Sequence, residues 1–434
     1  MMMNIEKQSS KLIKPFVPTP QTLQHYKISF LDELAPFINI SVILFFSANN
    51  NNAIPKFVSR LETSLEKILT RFYPLAGRYV DKTHTIDCND QGAEFIHAKV
   101  DIKMQDILAP GVDIKVVDEF IPPNKLAVEH FTDPLLAIQV TMFKCGGVAL
   151  GVSTTHKIAD ASTLSTFVNE WAAMNREENE IGFSEPGFNY PSLFPGRGYG
   201  PIPLPIIRDE LSSKLYIRKK VSFSESEISI LKAKAMANGK LNAFHLSKVQ
   251  LVLAIIWKAF ISVANATNDK PSESILVQPV DLRGKTASLI PKKSCGNLVG
   301  LCATDAQMVE TTEELAERLS HNVKKTINNL SKVDHCSEEG QTTVLNSSTL
   351  KDVEILESTN VIFLTSWCKF LFYQADFGFG KPTWAAPGCS PLQNYACLMD
   401  DKQGNGVDAH VFLEVKNVPY FEDALKVDPL LCKT

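Results

Sequence analysis

The chain has 434 residues, of which 44% are hydrophobic and 21% are charged. This composition is typical of a globular protein, and the length favours two domains over a single core. The net charge of -4 and the pI of about 6.2 give no support for a nucleic-acid partner or for binding to an anionic membrane surface.

The first 20 residues contain three lysines but lack the apolar core of a secretory signal. The apolar run at residues 38–46 is too short to span a bilayer. The nine cysteines include no Cys-x-x-Cys pair, so their spacing predicts neither a zinc site nor a disulfide framework. We therefore expect a cytoplasmic protein with reduced cysteines.

In the N-terminal half, apolar residues recur with helical spacing at 55–72, which predicts an amphipathic helix that ends before Pro74. Short strands are predicted at 85–88 and 93–101. Two β-patterned runs, 137–143 and 148–155, flank Gly146-Gly147 and predict a hairpin.

A stretch rich in proline and glycine, residues 182–211, predicts an ordered or semi-rigid linker between an N-terminal domain, 1–181, and a C-terminal domain, 212–434. The second half alternates strand and helix patterns, so both domains are expected to be mixed α/β. Its strands are predicted at 216–223, 275–280, 362–365 and 410–415, and its helices at 225–236, 247–264 and 315–330.

The second strand of the predicted hairpin leads directly into His156-Lys157-Ile158-Ala159-Asp160, and helical spacing follows. His156 therefore lies at a corner between a strand and a helix, where a rigid scaffold can hold a general base. On this segment alone, a buried structural histidine is an equal alternative. Asp160 could orient the ring, cap the helix or pair with a distant arginine.

A second His-x-x-x-Asp sequence, from His97 to Asp101, lies within an alternating strand pattern without a following helix. We interpret His97 as a half-exposed strand residue. A serine hydrolase is disfavoured because the Gly151–Thr155 stretch lacks the second glycine of a nucleophile elbow. Cys145 and Cys368 fit inert thiols better than acyl carriers.

Far downstream, Asp376-Phe377-Gly378-Phe379-Gly380 precedes Lys381-Pro382. Together with the His156 motif, this segment resembles the two signatures of the BAHD family of plant acyl-CoA-dependent acyltransferases. Other matching segments occur in the family's order at 73–78, 280–283, 296–298 and 365–368. The resemblance covers nearly the whole chain. It implies two similar-sized α/β domains of chloramphenicol-acetyltransferase-like type with a channel between them.

The resemblance also implies roles for individual residues. His156 matches the base that deprotonates the acceptor hydroxyl, and Thr365 and Trp367 match residues that stabilise the oxyanion. Asp160 matches a structural aspartate that pairs with an arginine, here Arg283.

Two further groups are implied to lie near the acyl-CoA. Asp376, Gly378 and Gly380 match a motif that shapes the fold on the CoA side. Ser247 and Lys248 stand at a predicted helix start, where a hydroxyl and a cation could approach the CoA phosphates. An ordinary N-cap with a solvated lysine is the open alternative.

Two residues depart from the family pattern. Phe379 replaces the usual tryptophan and keeps an aromatic ring without the indole donor. Asp281 replaces the usual asparagine and could compete with Asp160 for Arg283.

We therefore expect transfer of acetyl from acetyl-CoA, a co-substrate, to an alkaloid or terpenoid alcohol in a ternary complex. No permanently bound cofactor, metal, nucleic acid or membrane is expected, and the enzyme should be a monomer. The alternatives are esterification of small or monoterpene alcohols, and an inactive relative that binds CoA or a metabolite.

Overall fold

The computed structural model describes residues 3–48, 54–109, 114–123, 132–176, 187–202, 215–237, 246–267, 273–287, 290–306, 310–349, 359–428 and 431. The chain divides into two compact units, each assembled from three stretches. The first unit comprises Met1–Pro203, Pro291–Leu298 and Phe370–Cys389, and the second comprises Leu204–Ile290, Val299–Lys369 and Ser390–Thr434.

The strands are numbered β1 to β15 in chain order across the described residues. Their bounds are Ile5–Ile13, His25–Lys27, Asn39–Phe46, Arg78–Val80, Thr85–Asp87, Ala93–Val100, Leu136–Phe143, Val148–Thr155, Tyr216–Phe223, Ser274–Asp281, Val299–Ala306, Asn360–Ser366, Trp384–Pro387, Tyr395–Asp400 and Val407–Glu414.

The α-helices of the described residues are numbered α1 to α9 in the same way. Their bounds are Phe30–Leu34, Ile54–Arg71, Met104–Ile107, Ala161–Asn175, Glu225–Ala237, Lys248–Thr267, Thr312–Leu330, Glu338–Thr349 and Val418–Val427.

The first unit contains a six-stranded mixed sheet in the order β1-β6-β7-β8-β3-β13 and a small sheet in the order β2-β5-β4. The predicted hairpin is confirmed as the antiparallel pair β7 and β8. Gly146 has a φ of 81° at its turn, a left-handed conformation that glycine adopts without strain. Every residue of β8 is buried, so this strand holds the residue that follows it, His156, on a rigid support.

The predicted helix at 55–72 is confirmed as α2, which packs against α4. Trp171 of α4 is fully buried, and its indole N–H donates to Ser64 Oγ of α2 at 3.0 Å. The rings of Phe72 and Phe167 meet edge to face, with their centroids 5.3 Å apart. Helix α4, which begins one residue after Asp160, is thus fixed by both apolar and polar contacts.

The second unit contains a six-stranded mixed sheet in the order β11-β10-β12-β14-β15-β9. Helix α6 supplies much of the core beside this sheet, with twelve buried apolar residues. Among them, Trp257 donates its indole N–H to Ser274 Oγ of β10 at 2.9 Å. The predictions of a helix at 247–264 and of strands at 216–223 and 275–280 are confirmed.

Among the described residues, α6 is also the one helix long and apolar enough to cross a membrane by length and composition alone. Within the chain, however, 67% of its most apolar window is buried inside the protein. Its apolar side chains are already covered by the sheet and neighbouring helices of the second unit, as in a core helix.

The predicted domain boundaries need one correction. The sequence prediction places all of residues 212–434 in one domain, but β13 pairs antiparallel with β3, with Trp384 opposite Phe45. The Asp376 motif therefore belongs to the first unit. The predicted linker is also closely packed there, since Tyr190 and Phe194 are fully buried. Four-residue β13 carries no alternating pattern, and its partner is remote in sequence.

The core role of α6 gives a stability prediction. Replacing Ile256, which is fully buried, by alanine leaves a cavity and should lower the free energy of unfolding by about 2–5 kcal/mol. The control Asn265→Ala changes an exposed residue of the same helix and should shift it by about 0.5 kcal/mol or less. Equal small effects in urea denaturation would contradict the placement of Ile256 in the core.

Candidate active site

His156 follows β8 directly and is half-buried. Its backbone N–H donates to the carbonyl of Ile38 at 2.8 Å, which fixes the chain at the end of the strand. Ile158 and Ala159, which come next, are buried, and Asp160 then caps α4. The predicted corner between strand and helix is confirmed.

The imidazole of His156 meets the side-chain amide of Asn297. Nδ1 of His156 lies 2.8 Å from Oδ1 of Asn297. The amide nitrogen of Asn297 donates to the carbonyl of His156 at 2.5 Å and to Asp32 Oδ1 at 2.8 Å. Because both of its neighbours are acceptors, that atom must be the NH₂ group and the other must be the oxygen. Nδ1 therefore carries the proton, and Nε2 keeps its lone pair.

The surroundings of His156 favour its neutral form. Burial lowers the pKa of His156 below its ordinary value of 6.5, while the charge of Asp160 and the hydrogen bond to Asn297 act in the opposite direction. An imidazole with a lowered pKa and a free Nε2 can accept a proton at neutral pH, which is what a general base must do.

The carboxylate of Asp160 accepts hydrogen bonds from two backbone N–H groups. Oδ1 accepts the N–H of Thr163 at 2.8 Å, which is the N-cap bond of α4, and Oδ2 accepts the N–H of Leu298 at 3.2 Å. Asp160 therefore joins the helix start to the short stretch that carries Asn297. The helix-capping interpretation fits these contacts.

Arg283 is buried in the second unit, where Nη1 lies 3.0 Å from Asp281 Oδ1. The same carboxylate oxygen accepts the backbone N–H of Arg283 at 3.1 Å. Asp281, one of the two departures from the family pattern, is thus a direct partner of this arginine. The expected pairing of Asp160 with Arg283 joins residues of different units and stays a prediction.

Thr365 and Trp367 also belong to the second unit. Thr365 is half-buried at the end of β12, opposite Cys397 of the parallel strand β14. The side chain of Trp367 is buried, and its backbone N–H donates to the carbonyl of Leu398 at 2.7 Å. Both residues are held by a regular sheet, and their role at the oxyanion stays a prediction.

The Asp376 motif forms a turn around its own carboxylate. Asp376 Oδ1 accepts the N–H of Gly378 at 2.7 Å and that of Gly380 at 3.0 Å. The two glycines have φ values of 90° and 87°, a backbone conformation that L side chains rarely adopt. The backbone carbonyl of Asp376 accepts a hydrogen bond from Arg176. These contacts give the motif a structural role within the first unit.

The aromatic residues of this motif fasten it to α2 and α4. Phe377 is fully buried and packs edge to face on Trp171, with ring centroids 4.9 Å apart. Phe379 packs on Phe57 of α2 in the same manner at 3.9 Å. The aromatic ring at position 379, which departs from the usual tryptophan, therefore keeps a packing role.

Ser247 and Lys248 both have structural partners. Ser247 Oγ accepts the N–H of Gln250 at 3.1 Å, so it caps α6. Lys248 Nζ contacts Asp400 Oδ1 at 2.7 Å and the carbonyls of Gly404 and Gly406 at 2.7 and 3.1 Å. These three acceptors use all the donors of the ammonium group. The N-cap alternative fits this geometry, and contact with CoA phosphates stays a prediction.

Asn297 is the site residue that the sequence analysis did not select. Its only signal was the match of residues 296–298 to a family segment, and the contact with His156 spans 141 positions of the chain.

His97 lies within β6, opposite Ser9 and Val140. Among the described residues, no group of three His, Cys, Asp or Glu side chains could hold a metal ion.

Comparison with known proteins identifies the family of this chain. A model of the family described as Transferase matches residues 3–427. Vinorine synthase of Rauvolfia serpentina is 35% identical over 98% of this chain and 96% of its own length. The chain belongs to the BAHD acyltransferase family. It is therefore an acyltransferase, as the two signature motifs predict.

The names of two other relatives state which acyl group each protein transfers. A pelargonidin-glycoside 4'''-malonyltransferase of Salvia splendens is 33% identical, covering 98% of this chain and 99% of its own. Stemmadenine O-acetyltransferase of Catharanthus roseus is 32% identical, covering 93% and 92%. Both acetyl and malonyl transfer thus occur among the relatives.

Solved structures confirm the predicted fold class of two mixed-sheet α/β domains. The crystal structure of vinorine synthase aligns with a TM-score of 0.83 at 32% identity and covers 96% of both chains. The F. sporotrichioides TRI101 structure, which is complexed with coenzyme A and T-2, aligns with a TM-score of 0.71 at 19% identity and covers 94% of this chain and 98% of its own. The second likeness concerns the fold alone.

The turn of the Asp376 motif gives a prediction with an internal control. An alanine at Gly380 meets no atom within 4 Å, so Gly380→Ala should cost only backbone strain, on the order of 1–3 kcal/mol. A Cβ at Gly378 would lie 2.6 Å from Arg60 Nη2, which donates to the carbonyl of Phe377. Losing that bond as well should make Gly378→Ala about 1 kcal/mol worse. Equal unfolding free energies for the two variants would contradict this account.

Proposed function

We propose that this BAHD enzyme is an O-acetyltransferase in which Nε2 of His156 is the general base. The donor is acetyl-CoA, and the acceptor is the hydroxyl of a specialised metabolite such as an alkaloid or terpenoid alcohol. The observation that carries the proposal is the contact between Asn297 Oδ1 and His156 Nδ1, which leaves Nε2 without a proton. The names of relatives such as stemmadenine O-acetyltransferase support the choice of acyl group.

The proposed reaction takes place in one ternary complex. Nε2 of His156 accepts the hydroxyl proton while the oxygen attacks the thioester carbonyl. The resulting tetrahedral oxyanion is stabilised by the hydroxyl of Thr365 and the indole N–H of Trp367. When the C–S bond breaks, the CoA thiolate leaves and takes the proton from His156, so the base is regenerated. No acyl-enzyme forms, and Asp160 serves as a structural anchor.

Malonyl transfer is a second candidate for the same site. It rests on the Salvia splendens malonyltransferase, which is 33% identical over almost the full length of both chains. The acyl donor is therefore tested by comparing acetyl-CoA with malonyl-CoA at equal concentration. Small and monoterpene alcohols belong in the acceptor panel alongside alkaloid and terpenoid alcohols. We further propose that the enzyme acts as a cytoplasmic monomer.

Replacing His156 tests its assignment as the base. His156→Ala should lower kcat for thiol release from acetyl-CoA in the presence of an acceptor by about 10²- to 10⁴-fold, the usual contribution of a general base. The control His97→Ala alters the other His-x-x-x-Asp sequence, which lies in β6, and should leave kcat unchanged.

Two results would overturn this assignment. Undiminished turnover by His156→Ala would exclude His156 as the base. No thiol release by the wild-type enzyme with any donor and alcohol would favour the alternative of a relative that binds CoA without turnover.

The pH dependence of kcat/KM tests the environment of His156. Burial lowers the pKa of His156 below 6.5, so the neutral imidazole persists to more acidic pH than in free histidine. The value of kcat/KM should be constant near neutral pH and should fall only as the pH drops through the lowered pKa. A midpoint of the acid limb at or above pH 6.5 would contradict the proposed environment of the base.

A further inference from the structure

A second buried carboxylate stands behind the His156 and Asn297 pair. Asp32 lies in the short helix α1 and is completely buried. Oδ1 accepts both the backbone N–H of Asn297 at 3.0 Å and its side-chain NH₂ at 2.8 Å. Oδ2 accepts from the backbone N–H of Ser29 at 3.1 Å, from its hydroxyl at 3.0 Å and from the Tyr190 hydroxyl.

These donors favour a carboxylate over a carboxylic acid. Burial raises the pKa of Asp32, and the hydrogen bonds from Tyr190, Asn297 and Ser29 oppose that rise. The N–H groups of Asn297 and Ser29 require both oxygens to act as acceptors, as they do in a carboxylate. The side chain therefore presents only acceptors to Asn297.

We propose that Asp32 is a positioning residue that selects the tautomer of His156 by fixing the side-chain amide of Asn297. With Oδ1 of Asp32 in place, the NH₂ group of Asn297 must face Asp32, and its oxygen must face Nδ1 of His156. The inference rests on the proposed function, because the tautomer matters for catalysis only if Nε2 is the base.

The consequence of removing Asp32 follows from the same contacts. Without its carboxylate, the NH₂ group of Asn297 keeps one acceptor, the carbonyl of His156. Only this carbonyl then opposes rotation of the amide, so part of the population can turn over and present its NH₂ group to Nδ1 of His156. Nδ1 would become the acceptor, and Nε2 would carry the proton. A histidine in that tautomer cannot take the proton of the acceptor hydroxyl at Nε2.

A second connection holds α1 against the same corner. Lys157, adjacent to His156, is buried, and its Nζ donates to the carbonyls of Asp32, Glu33 and Ala35 at 3.3, 2.9 and 2.7 Å. Its ammonium also lies 4.3 Å from the ring centroid of Phe37. Burial lowers the pKa of Lys157 to about 8. Helix α1, which carries Asp32, is thus connected to the chain around His156 both through Asn297 and through Lys157.

Glu33 provides a matched control on the same helix. Its buried carboxylate accepts the backbone N–H groups of Arg197, Gly198 and Tyr199 at 3.0, 3.1 and 2.9 Å. Like Asp32, it is a buried carboxylate of α1 that receives several donors. These bonds hold residues 197–199 rather than Asn297, so Glu33→Gln should lower thermal stability without changing the tautomer of His156 or kcat.

The test measures ring protonation and turnover in Asp32→Ala and Asp32→Asn. Proton–nitrogen correlation spectra of protein labelled with nitrogen-15 histidine distinguish the two tautomers, and the His156 signal is the one lost in His156→Ala. Asp32→Ala should shift the neutral ring toward Nε2–H and lower kcat by about 10- to 100-fold, with little change in the KM for acetyl-CoA. Asp32→Asn keeps one acceptor oxygen, so its tautomer population and its kcat should lie between those of Asp32→Ala and of wild type.

A folded Asp32→Ala with the wild-type tautomer and kcat would overturn the proposal. If Asp32→Ala does not fold, Asp32→Asn decides by the same criteria, since it preserves the size of the side chain. A loss of kcat in Glu33→Gln equal to that in Asp32→Ala would also overturn it, because the effect would then be structural. Failure of the proposed function shows separately as turnover by His156→Ala and leaves the tautomer comparison intact.

Discussion

The orientation of one side-chain amide, that of Asn297, is the constraint on which the first unit's site depends. Its oxygen faces Nδ1 of His156, and its nitrogen faces the carbonyl of His156 and the carboxylate of Asp32. Asn297 lies in Pro291–Leu298, a stretch between two strands of the second unit that nevertheless belongs to the first. The proposed chemistry at His156 therefore depends on a segment that lies, in sequence, between strands β10 and β11 of the second unit.

Several independent contacts hold this segment in place. Thr163 Oγ1 accepts the N–H of Gly296 at 2.9 Å, and Asp160 accepts the N–H of Leu298. Lys293 pairs with the buried Glu170 at 3.2 Å. The spacing of four residues between His156 and Asp160 thus has a physical reason within this molecule. His156 presents the ring, and Asp160, four residues on, fastens both the following helix and the segment that sets the ring's protonation.

Whether a feature of the fold or the site could be predicted depends on how far apart in sequence the interacting residues lie. The corner at His156 could be predicted, because a hairpin turn and helical periodicity are local signals. The contact with Asn297 could not, since it spans 141 positions and a single asparagine has no pattern. Strand β1 also carried no signal, because seven of its nine residues are exposed at a sheet edge and lack apolar alternation. The family resemblance supplied the roles of Thr365 and Trp367, which no local rule indicates.

The most direct test of this account is hydrogen–deuterium exchange of the Asn297 and Leu298 amides in the unliganded wild-type enzyme. Both N–H groups donate to buried carboxylates, those of Asp32 and Asp160. The account predicts that they exchange as slowly as the amides of the buried strand β8, because they open only when the first unit opens. Exchange as fast as that of an exposed loop would show that the segment is not fixed against His156, and would contradict the account.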